Sequence, residues 1–502
     1  MKYTNLDKML ETEPPQFNFD NSFARDLEGF FVPCEASKVP RPSMVIFNEP
    51  LAEELQLSAS RLQTPLGAEI FSGNLLPNGA TPLAQAYAGH QFGNFSPQLG
   101  DGRALLLGEI IDTQGRRQDL QLKGSGRTPF SRSGDGKAGL GPVLREYLIS
   151  EAMHALGVPT TRSLAAVTTG ETIFRETGMP GAVLTRISAS HLRVGTFEFF
   201  AARGKTDMVR RLADYAISRH YPETLDTENP YLDFFRAVSR AQIKLISHWM
   251  RIGFIHGVMN TDNTAISGQT IDYGPCAFID EYNPETVFSS IDLQGRYAFG
   301  NQSSIVMWNL MRLADTLVPL IHVDKDRSIG ILTDEIRNFR SEYDEIFFEQ
   351  MRAKIGLNNK EDGDDDLVQD LLTAMQTDEA DFTLTFRGLS DAIRGDNSGV
   401  LQQFQNTATY EAWETKWLSR LEREPTPPSK RAAAMNKVNP IYIPRNHKVE
   451  EALSEAIEHG SLTLFEKILS LVSAPFEEIP GEEIYTKPAP ETSLPYKTFC
   501  GT

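Results

Sequence analysis

The sequence predicts an α+β protein in which a small strand-rich lobe is followed by a larger helical lobe. From about residue 85 to about residue 185, apolar residues occur in short runs separated by polar turns, which is typical of β-strands. After about residue 205, apolar residues recur at helical spacing over long segments. With 502 residues, the chain is long enough for two or three domains.

The expected elements follow one another in a regular order. Strands are expected at 103–111 and 119–123, joined by a polar turn, and again at 162–168 and 182–187. A helix is expected over 142–156, because Pro142 suits a first turn and Gly157 follows the last. Long helices are expected at 231–252 and 305–320, and further helices follow at 340–356 and 366–376.

These elements divide the chain into four expected parts. Residues 1–84 form an N-terminal extension packed on the core, and 85–195 form the strand-rich lobe with a ligand-binding loop. Residues 196–425 form the helical lobe, and 426–502 form a C-terminal helical extension and tail.

Composition and charge exclude several classes of protein. The chain has 49 Lys and Arg against 67 Asp and Glu, a net charge of −18, which disfavours nucleic acid as a partner. No stretch approaches the roughly 20 apolar residues of a membrane helix, and the first residues lack the apolar core of a secretory signal. Three cysteines are too few for a disulfide framework. We expect a cytoplasmic monomer whose local basic clusters bind a small anion.

The most informative motif runs from His256 to Asn263 and is followed by Asp272-Tyr-Gly. Protein kinases carry His-Arg-Asp-Leu-x-x-x-Asn and then Asp-Phe-Gly in this order. Asn263 and Asp272 keep the two metal-binding positions, and their oxygens suit Mg²⁺ or Mn²⁺ beside a triphosphate. Val258 stands where a kinase has its catalytic Asp, and valine cannot accept a proton. Asp262, the one carboxylate of the motif, is therefore the candidate general base. With the order of the lobes, the motif predicts a protein-kinase-like bilobal fold.

Residues upstream of this motif supply a candidate phosphate site. Gly100 and Gly102 allow a backbone turn to approach phosphates. Lys123 ends the second strand, where a kinase keeps its phosphate-binding lysine, and Glu146 of the next helix is the glutamate chosen to hold it. The Gly-rich basic loop at 124–137 lies between them and can close over phosphates. Two arginines whose forked guanidinium groups suit phosphate oxygens flank a further segment: Arg186 and Arg193.

Three long strings of the sequence resemble the SelO family, also called YdiU. They are YAGHQFGNFSPQLGDGR at 87–103, SGDGKAGLGPVLREYLISEAMHALG at 133–157 and HGVMNTDN at 256–263. The resemblance extends over nearly the whole chain. Members of this family are similar to protein kinases in fold and are regarded as protein adenylyltransferases, which transfer AMP from ATP to Ser, Thr or Tyr hydroxyls of proteins. Transfer of UMP from UTP is also attributed to bacterial members.

The resemblance implies a role for each matching position. It implies that the nucleotide is flipped relative to a kinase, so that the α-phosphate is exposed. Glu146 then orients Lys123, Asp262 is the proton acceptor, and Asn263 and Asp272 bind Mg²⁺ or Mn²⁺. The implied nucleotide-binding residues are Gly100, Gly102, Arg103, Lys123, Asp135, Gly136, Arg186, Arg193 and Asp272.

Two cysteines form a hypothetical redox pair. Cys500 is third from the C-terminus, where some family members carry selenocysteine, and Cys276 follows Asp272 by four positions. A disulfide between them would restrain the segment after the metal site. The alternative is that the two thiols are unrelated.

Three functions remain open at this point. The first is a protein nucleotidyltransferase that uses ATP, or UTP, on hydroxyl-bearing proteins, with no nucleic-acid or membrane partner. The second is an ATP-binding pseudokinase scaffold, which the missing Asp at Val258 favours. The third is a small-molecule kinase in which Asp262 serves γ-phosphate transfer.

Overall fold

The structure, a computed structural model, describes residues 16–175, 177–490 and 496–498. It is a mixed α+β architecture, as predicted, with one large antiparallel sheet and many helices. The strands are β1 (Phe31–Pro33), β2 (Ser43–Phe47), β3 (Leu83–Gln85), β4 (Gly89–Gln91), β5 (Asn94–Ser96), β6 (Ala104–Ile111), β7 (Arg117–Lys123), β8 (Ala138–Gly139), β9 (Arg162–Phe174), β10 (Gly178–Ser188), β11 (Phe254–Ile255) and β12 (Ala277–Phe278).

The helices before the motif at 256–263 are short near the N-terminus and long afterwards. They are α1 (Ser22–Asp26), α2 (Glu49–Glu54), α3 (Ala59–Leu62), α4 (Pro65–Phe71), α5 (Leu140–Ala155), α6 (Val194–Ala201), α7 (Thr206–His220) and α8 (Pro230–Ile252). The helices that follow the motif are α9 (Gln302–Ile321), α10 (Lys325–Lys354), α11 (Asp364–Thr377), α12 (Phe382–Ala392), α13 (Ser398–Leu401), α14 (Thr407–Leu421), α15 (Pro428–Asn436), α16 (Asn446–His459) and α17 (Thr463–Val472).

The large sheet has the strand order β1-β3-β6-β7-β10-β9-β2, with β8 paired to β10. The four strands predicted from the sequence correspond to β6, β7, β9 and β10, which are adjacent in the middle of the sheet. Residues before 85 also enter the sheet, since β1 and β2 form its two edges. The N-terminal segment therefore contributes strands to the same sheet that carries the candidate phosphate-binding residues.

Both faces of the sheet are covered. One face packs against α5 through buried side chains such as Leu144 and Leu148. The other face packs against α2–α4, where Leu51, Leu62 and Phe71 are buried. Burial of each such side chain stabilises the fold by about 1.5–3 kcal/mol. The sheet is thus a rigid support for residues at the ends of β6, β7 and β10.

The predicted helix bounds lie within three residues of those in the structure, except at the start of α10. Helix α5 begins at Leu140, two residues before the predicted start, and Gly157 follows its end with φ of +75°. Helix α10 begins at Lys325 rather than at 340. The Asp324 carboxylate accepts hydrogen bonds from the amides of Asp326 and Arg327, so this helix has a capped N-terminus that its apolar pattern does not reveal.

One helical segment modifies the prediction about membrane spans. Within the described ranges, Phe299–Ile321 is long and apolar enough to cross a membrane, with a mean hydropathy of 1.3. More than half of its apolar window, 56%, is buried inside the protein. This is the burial of a core helix, and the apolar composition is explained by packing against neighbouring helices.

Candidate functional site

A cleft of about 1290 Å³ lies between the sheet, α5, the motif at 256–263 and the helix α16. It gathers the residues that were predicted from distant parts of the sequence. The predicted residues that line it are Gly100, Gly102, Arg103, Lys123, Asp135, Gly136, Glu146, Arg186, Arg193, Asp262, Asn263 and Asp272.

Lys123 stands at the end of β7 between two carboxylates. Its Nζ lies 2.6 Å from Glu146 Oε2 and 2.6 Å from Asp272 Oδ1. Glu146 is buried on α5, so the helix presents its charge to the end of the strand. The lysine and the glutamate that the sequence predicts as a pair are therefore in contact.

Arg186 and Arg193 approach the same aspartate. Arg186 Nη1 lies 2.7 Å from Asp272 Oδ1 and 3.3 Å from Glu146 Oε1, and Arg193 Nη1 lies 3.3 Å from Asp272 Oδ2. The Arg193 guanidinium also packs over the ring of Tyr87, at 4.4 Å from its centroid. Both arginines are buried, so three cations converge on one carboxylate at the base of the cleft.

The electrostatics of Asp272 follow from this arrangement. Burial alone would raise its pKa, but the charges of Lys123, Arg186 and Arg193 outweigh burial and hold the pKa well below its usual range. Asp272 has a left-handed backbone, with φ of +62°, which is uncommon for a residue other than glycine. The site therefore keeps an ionised carboxylate in a strained backbone position, as functional sites often do.

The environment of Asp262 raises its pKa, in contrast to that of Asp272. Burial raises the pKa of Asp262 to about 6, although the nearby Arg193 charge acts to lower it. The Gln91 amide donates a hydrogen bond to Oδ2 at 3.2 Å, whereas Oδ1 has no partner among the described residues. A carboxylate whose pKa lies close to neutrality can accept a proton and release it again.

The rest of the motif is held by hydrogen bonds. His256 is buried, donates from Nε2 to the Ile271 carbonyl at 2.8 Å and stacks on Trp249. The Asn263 amide donates to the Val258 carbonyl at 2.9 Å. His256 therefore supports the segment that leads to Asp272, and it contributes no group to the cleft.

Asn263 and Asp272 have the donor chemistry that a divalent metal requires. The hydrogen bond from Asn263 Nδ2 leaves the amide oxygen available, and the Asp272 carboxylate is ionised. Among the described residues no group of three or more His, Cys, Asp and Glu side chains could hold a metal. Mg²⁺ is commonly held by one or two carboxylates together with substrate phosphates, so two oxygen ligands fit this kind of site.

Two glycines of the cleft occupy positions where a larger residue would not fit. Gly100 has φ of +90° and packs against the ring of Phe130, so a side chain would not fit. Gly136 has φ of +70°, and a Cβ there would overlap the backbone carbonyl of Gly126. Asp135 beside it is exposed and pairs with Arg175 at 2.8 Å. The loop at 124–137 is thereby folded against the sheet at the mouth of the cleft.

Cys276 is fully buried, and burial raises the pKa of its thiol to about 11. Its backbone carbonyl accepts a hydrogen bond from Arg145 at 2.6 Å. Cys500 lies outside the described residues. The pairing of the two cysteines therefore stays a prediction.

Several residues of the cleft were not singled out from the sequence. Asp101 is buried, and burial raises its pKa to about 6. It accepts hydrogen bonds from the backbone N–H of Gln85 at 3.0 Å and from Gln121 Nε2 at 3.3 Å. Asp101 and Gln91 lie within the string at 87–103 that carried the family resemblance, which could have drawn attention to them. Arg175 lies outside these strings, and its partner Asp135 is 40 positions away in the sequence, so no sequence signal identifies it.

The chain is similar to known proteins over nearly its whole length. The family model of the protein adenylyltransferase SelO matches residues 15–473. A protein nucleotidyltransferase YdiU of Cereibacter sphaeroides is 57% identical over 488 residues, which cover 97% of this chain and 100% of the relative. The protein of the same name from Rhizobium etli is 55% identical over 489 residues, covering 97% of each chain. The Rhizobium meliloti protein is 54% identical over 488 residues, covering 97% of this chain and 99% of the relative. The chain thus belongs to the SelO family, also called YdiU, and is an enzyme of the nucleotidyltransferase type.

Proposed function

We propose that this chain is a metal-dependent protein adenylyltransferase with a protein-kinase-like bilobal fold, which transfers AMP from ATP to Ser, Thr or Tyr hydroxyls of proteins. The observation that carries the proposal is the separation of two carboxylates in one cleft. Asp272 is ionised among Lys123, Arg186 and Arg193, whereas Asp262 stands apart with a pKa of about 6. One carboxylate suits a metal and the other suits a proton.

The chemistry assigns a task to each of these groups. The acceptor hydroxyl oxygen bonds to the α-phosphorus, and the bond from that phosphorus to the oxygen bridging to the β-phosphate breaks. Asp262 takes the hydroxyl proton. Lys123, Arg186 and Arg193 balance the charge of the departing pyrophosphate. Asn263 and Asp272 would hold Mg²⁺ or Mn²⁺, which neutralises phosphate charge when bound.

A labelling experiment tests this proposal. The wild type is incubated with α-labelled ATP, α-labelled UTP or γ-labelled ATP, together with Mg²⁺ or Mn²⁺ and a soluble bacterial protein extract as acceptor. We expect protein-bound label from the α-position and release of pyrophosphate. Asp262→Ala and Asp272→Ala are each expected to reduce transfer by about 10²-fold or more. Label from the γ-position alone would contradict the proposal and favour a kinase.

The second candidate is an ATP-binding scaffold without catalysis, which Val258 favours because it replaces the kinase base. This candidate predicts ATP binding without release of pyrophosphate under any of these conditions. The same experiment decides whether UTP is a donor, because protein-bound label from α-labelled UTP would show UMP transfer.

As part of the proposal, the enzyme acts as a monomer in the reducing cytoplasm, and its free thiols Cys34 and Cys276 are consistent with that compartment.

A further inference from the structure

A short hairpin formed by β4 and β5, residues 89–96, packs directly on the motif that carries Asp262. The hairpin is about 170 positions away from the motif in sequence, yet successive residues of the two segments are hydrogen-bonded in pairs. The bonds run from the His90 amide to Thr261 Oγ1 at 2.7 Å, from Gln91 Nε2 to Asp262 Oδ2 at 3.2 Å and from the Phe92 amide to Asn260 Oδ1 at 3.1 Å.

The hairpin is held in a fixed place. Glu198 of α6 bonds to both partners of the first pair, with His90 Nδ1 at 2.5 Å and Thr261 Oγ1 at 2.5 Å. Gly89 approaches the aspartate so closely that a Cβ would lie 2.5 Å from Asp262 Oδ1. Gln91, two positions further along the same strand, is consequently carried by a backbone that has little freedom to move relative to Asp262.

We infer that Gln91 is a positioning residue that fixes the orientation of the Asp262 carboxylate for the incoming hydroxyl. Within the described part of the chain, the hydrogen bond from Gln91 is the side-chain bond that the Asp262 carboxylate receives. Both side chains line the cleft, so the bond is made where the acceptor must approach. The inference rests on the proposed function, in which Asp262 accepts the proton.

The chemistry of a neutral amide suits this task. A lysine or arginine at position 91 would form an ion pair with Asp262 and reduce its tendency to take a proton. A glutamate would repel the carboxylate. A glutamine donates one hydrogen bond and adds no charge, so it can set the rotation of the carboxylate while leaving it a base. The neutral amide of Gln91 cannot itself replace Asp262 as the proton acceptor.

The test compares Gln91→Met with a matched variant of the same hairpin. Methionine keeps the length of glutamine and removes the donor. Asn94→Met changes an exposed residue at the hairpin tip. For both variants and for Asp262→Ala, initial rates of transfer from α-labelled ATP to a soluble bacterial protein extract are measured against ATP concentration. Thermal unfolding is measured with and without ATP.

For Gln91→Met we expect kcat to fall about tenfold or more, because small losses of alignment cost large factors in rate. The KM for ATP, the unfolding midpoint and the stabilisation by ATP should stay at wild-type values. Asn94→Met should match the wild type in every measurement. An unchanged kcat in Gln91→Met would overturn the inference, and so would a fall in kcat that is accompanied by lost ATP binding or a lowered unfolding midpoint. Wild-type transfer in Asp262→Ala would instead refute the proposed function and leave Gln91 without its task.

Discussion

Glu146 and Glu151 lie five positions apart on α5, and they face different parts of the molecule. Glu146 faces Lys123 in the cleft, at 2.6 Å. Glu151 pairs with Arg162 at 2.7 Å, away from the cleft. Five residues correspond to about 140° of rotation around a helix, so one helix cannot direct both side chains to the same lysine. Helical spacing therefore predicts that only one of the two glutamates reaches Lys123, and the structure pairs Glu146 with it.

This pair of glutamates gives a prediction with an internal control. In Glu146→Gln, Lys123 and Arg186 lose a shared anion, so their alignment with phosphates should weaken. We expect transfer from α-labelled ATP to fall by about tenfold or more and the KM for ATP to rise. Glu151→Gln removes a comparable ion pair on the same helix and should lower stability without changing the KM for ATP. Equal KM effects in both variants would contradict this assignment.

Other residues of the site could not be predicted in this way. Gln91 and Asp262 are 171 positions apart, and their contact depends on how the β4–β5 hairpin returns to the motif. Asp101 lies between two glycines that suggest a phosphate turn, yet its carboxylate bonds to Gln85 and Gln121 inside the sheet. Patterns in the sequence identify residues whose position follows from local secondary structure, such as Glu146 on its helix. They do not identify residues whose role comes from tertiary contacts alone.

Two buried histidines give a prediction on stability and pH. Burial lowers the pKa of His191 to about 4 and that of His220 to about 3, below the value of about 6.5 in an unfolded chain. The unfolded state therefore binds more protons as the pH falls. The stability that the two neutral histidines contribute is complete above about pH 6.5 and is lost progressively toward pH 4, by about 2 kcal/mol each.

Measurement of this effect needs a variant, because Asp101 and Asp262 titrate in the opposite sense. Their pKa values are raised to about 6, so they favour the folded state as the pH falls. We expect the unfolding midpoint of His191→Gln/His220→Gln to decrease less than that of the wild type between pH 6.5 and pH 4. Parallel curves for the two proteins would show that these histidines do not control acid stability.

The central strands and the long helices are the elements that the sequence predicts best. β6, β7, β9 and β10 are rich in apolar residues and bounded by turns, so their patterns are clear. β1 and β3 have three residues each, too few to form a pattern, and they become strands because the sheet provides partners. The predicted start of α10 at 340 is wrong, because Ile329, Leu332 and Ile336 already lie at helical spacing before it. Tertiary packing and capping thus decide what local periodicity cannot.

The loop at 124–137 depends on glycine, and a second glycine provides the control. In Gly136→Ala, the Cβ would overlap the Gly126 carbonyl and the backbone would be strained at φ of +70°. We expect the loop to open and the KM for ATP to rise several-fold. Gly115 has a similar φ of +76° in the turn between β6 and β7, but has open space around it. Gly115→Ala should cost about 1 kcal/mol of stability and leave the KM for ATP unchanged. A similar KM change in both variants would contradict the role of the loop.

The charge of the whole molecule differs from the charge of its cleft. The chain carries a net charge of −18, yet three cations meet at the base of the cleft, and the loop at its mouth adds Arg132 and Lys137. An acidic surface repels nucleic acid and other large polyanions, whereas a recessed basic site admits a small one. This distribution was predicted from composition in general terms, but its position required the fold.

Arg145 joins three parts of the chain that are far apart in sequence. It extends from α5, donates to the Cys276 carbonyl at 2.6 Å and pairs with Glu450 of α16 at 2.9 Å. Its guanidinium also lies 5.8 Å from the ring centroid of Tyr496 near the C-terminus. Since α5 also carries Glu146, the C-terminal part of the molecule supports the helix whose Glu146 pairs with Lys123.

Replacement of Arg145 should therefore affect the molecule as a whole. In Arg145→Met, the buried Cys276 carbonyl loses a charged donor, which should cost about 2 kcal/mol of unfolding free energy. The same change removes the ion pair with Glu450, so α5 is held less firmly against α16. Glu450→Gln removes only a half-exposed partner, so its cost should be about 0–1 kcal/mol. Both variants are compared with the wild type by denaturant unfolding and by transfer from α-labelled ATP. If the contacts of Arg145 hold α5 in place, Arg145→Met loses both stability and transfer rate, because Glu146 is then no longer positioned to pair with Lys123. If Arg145→Met keeps the wild-type rate, the sheet alone positions α5, and the C-terminal helices serve only to cover it.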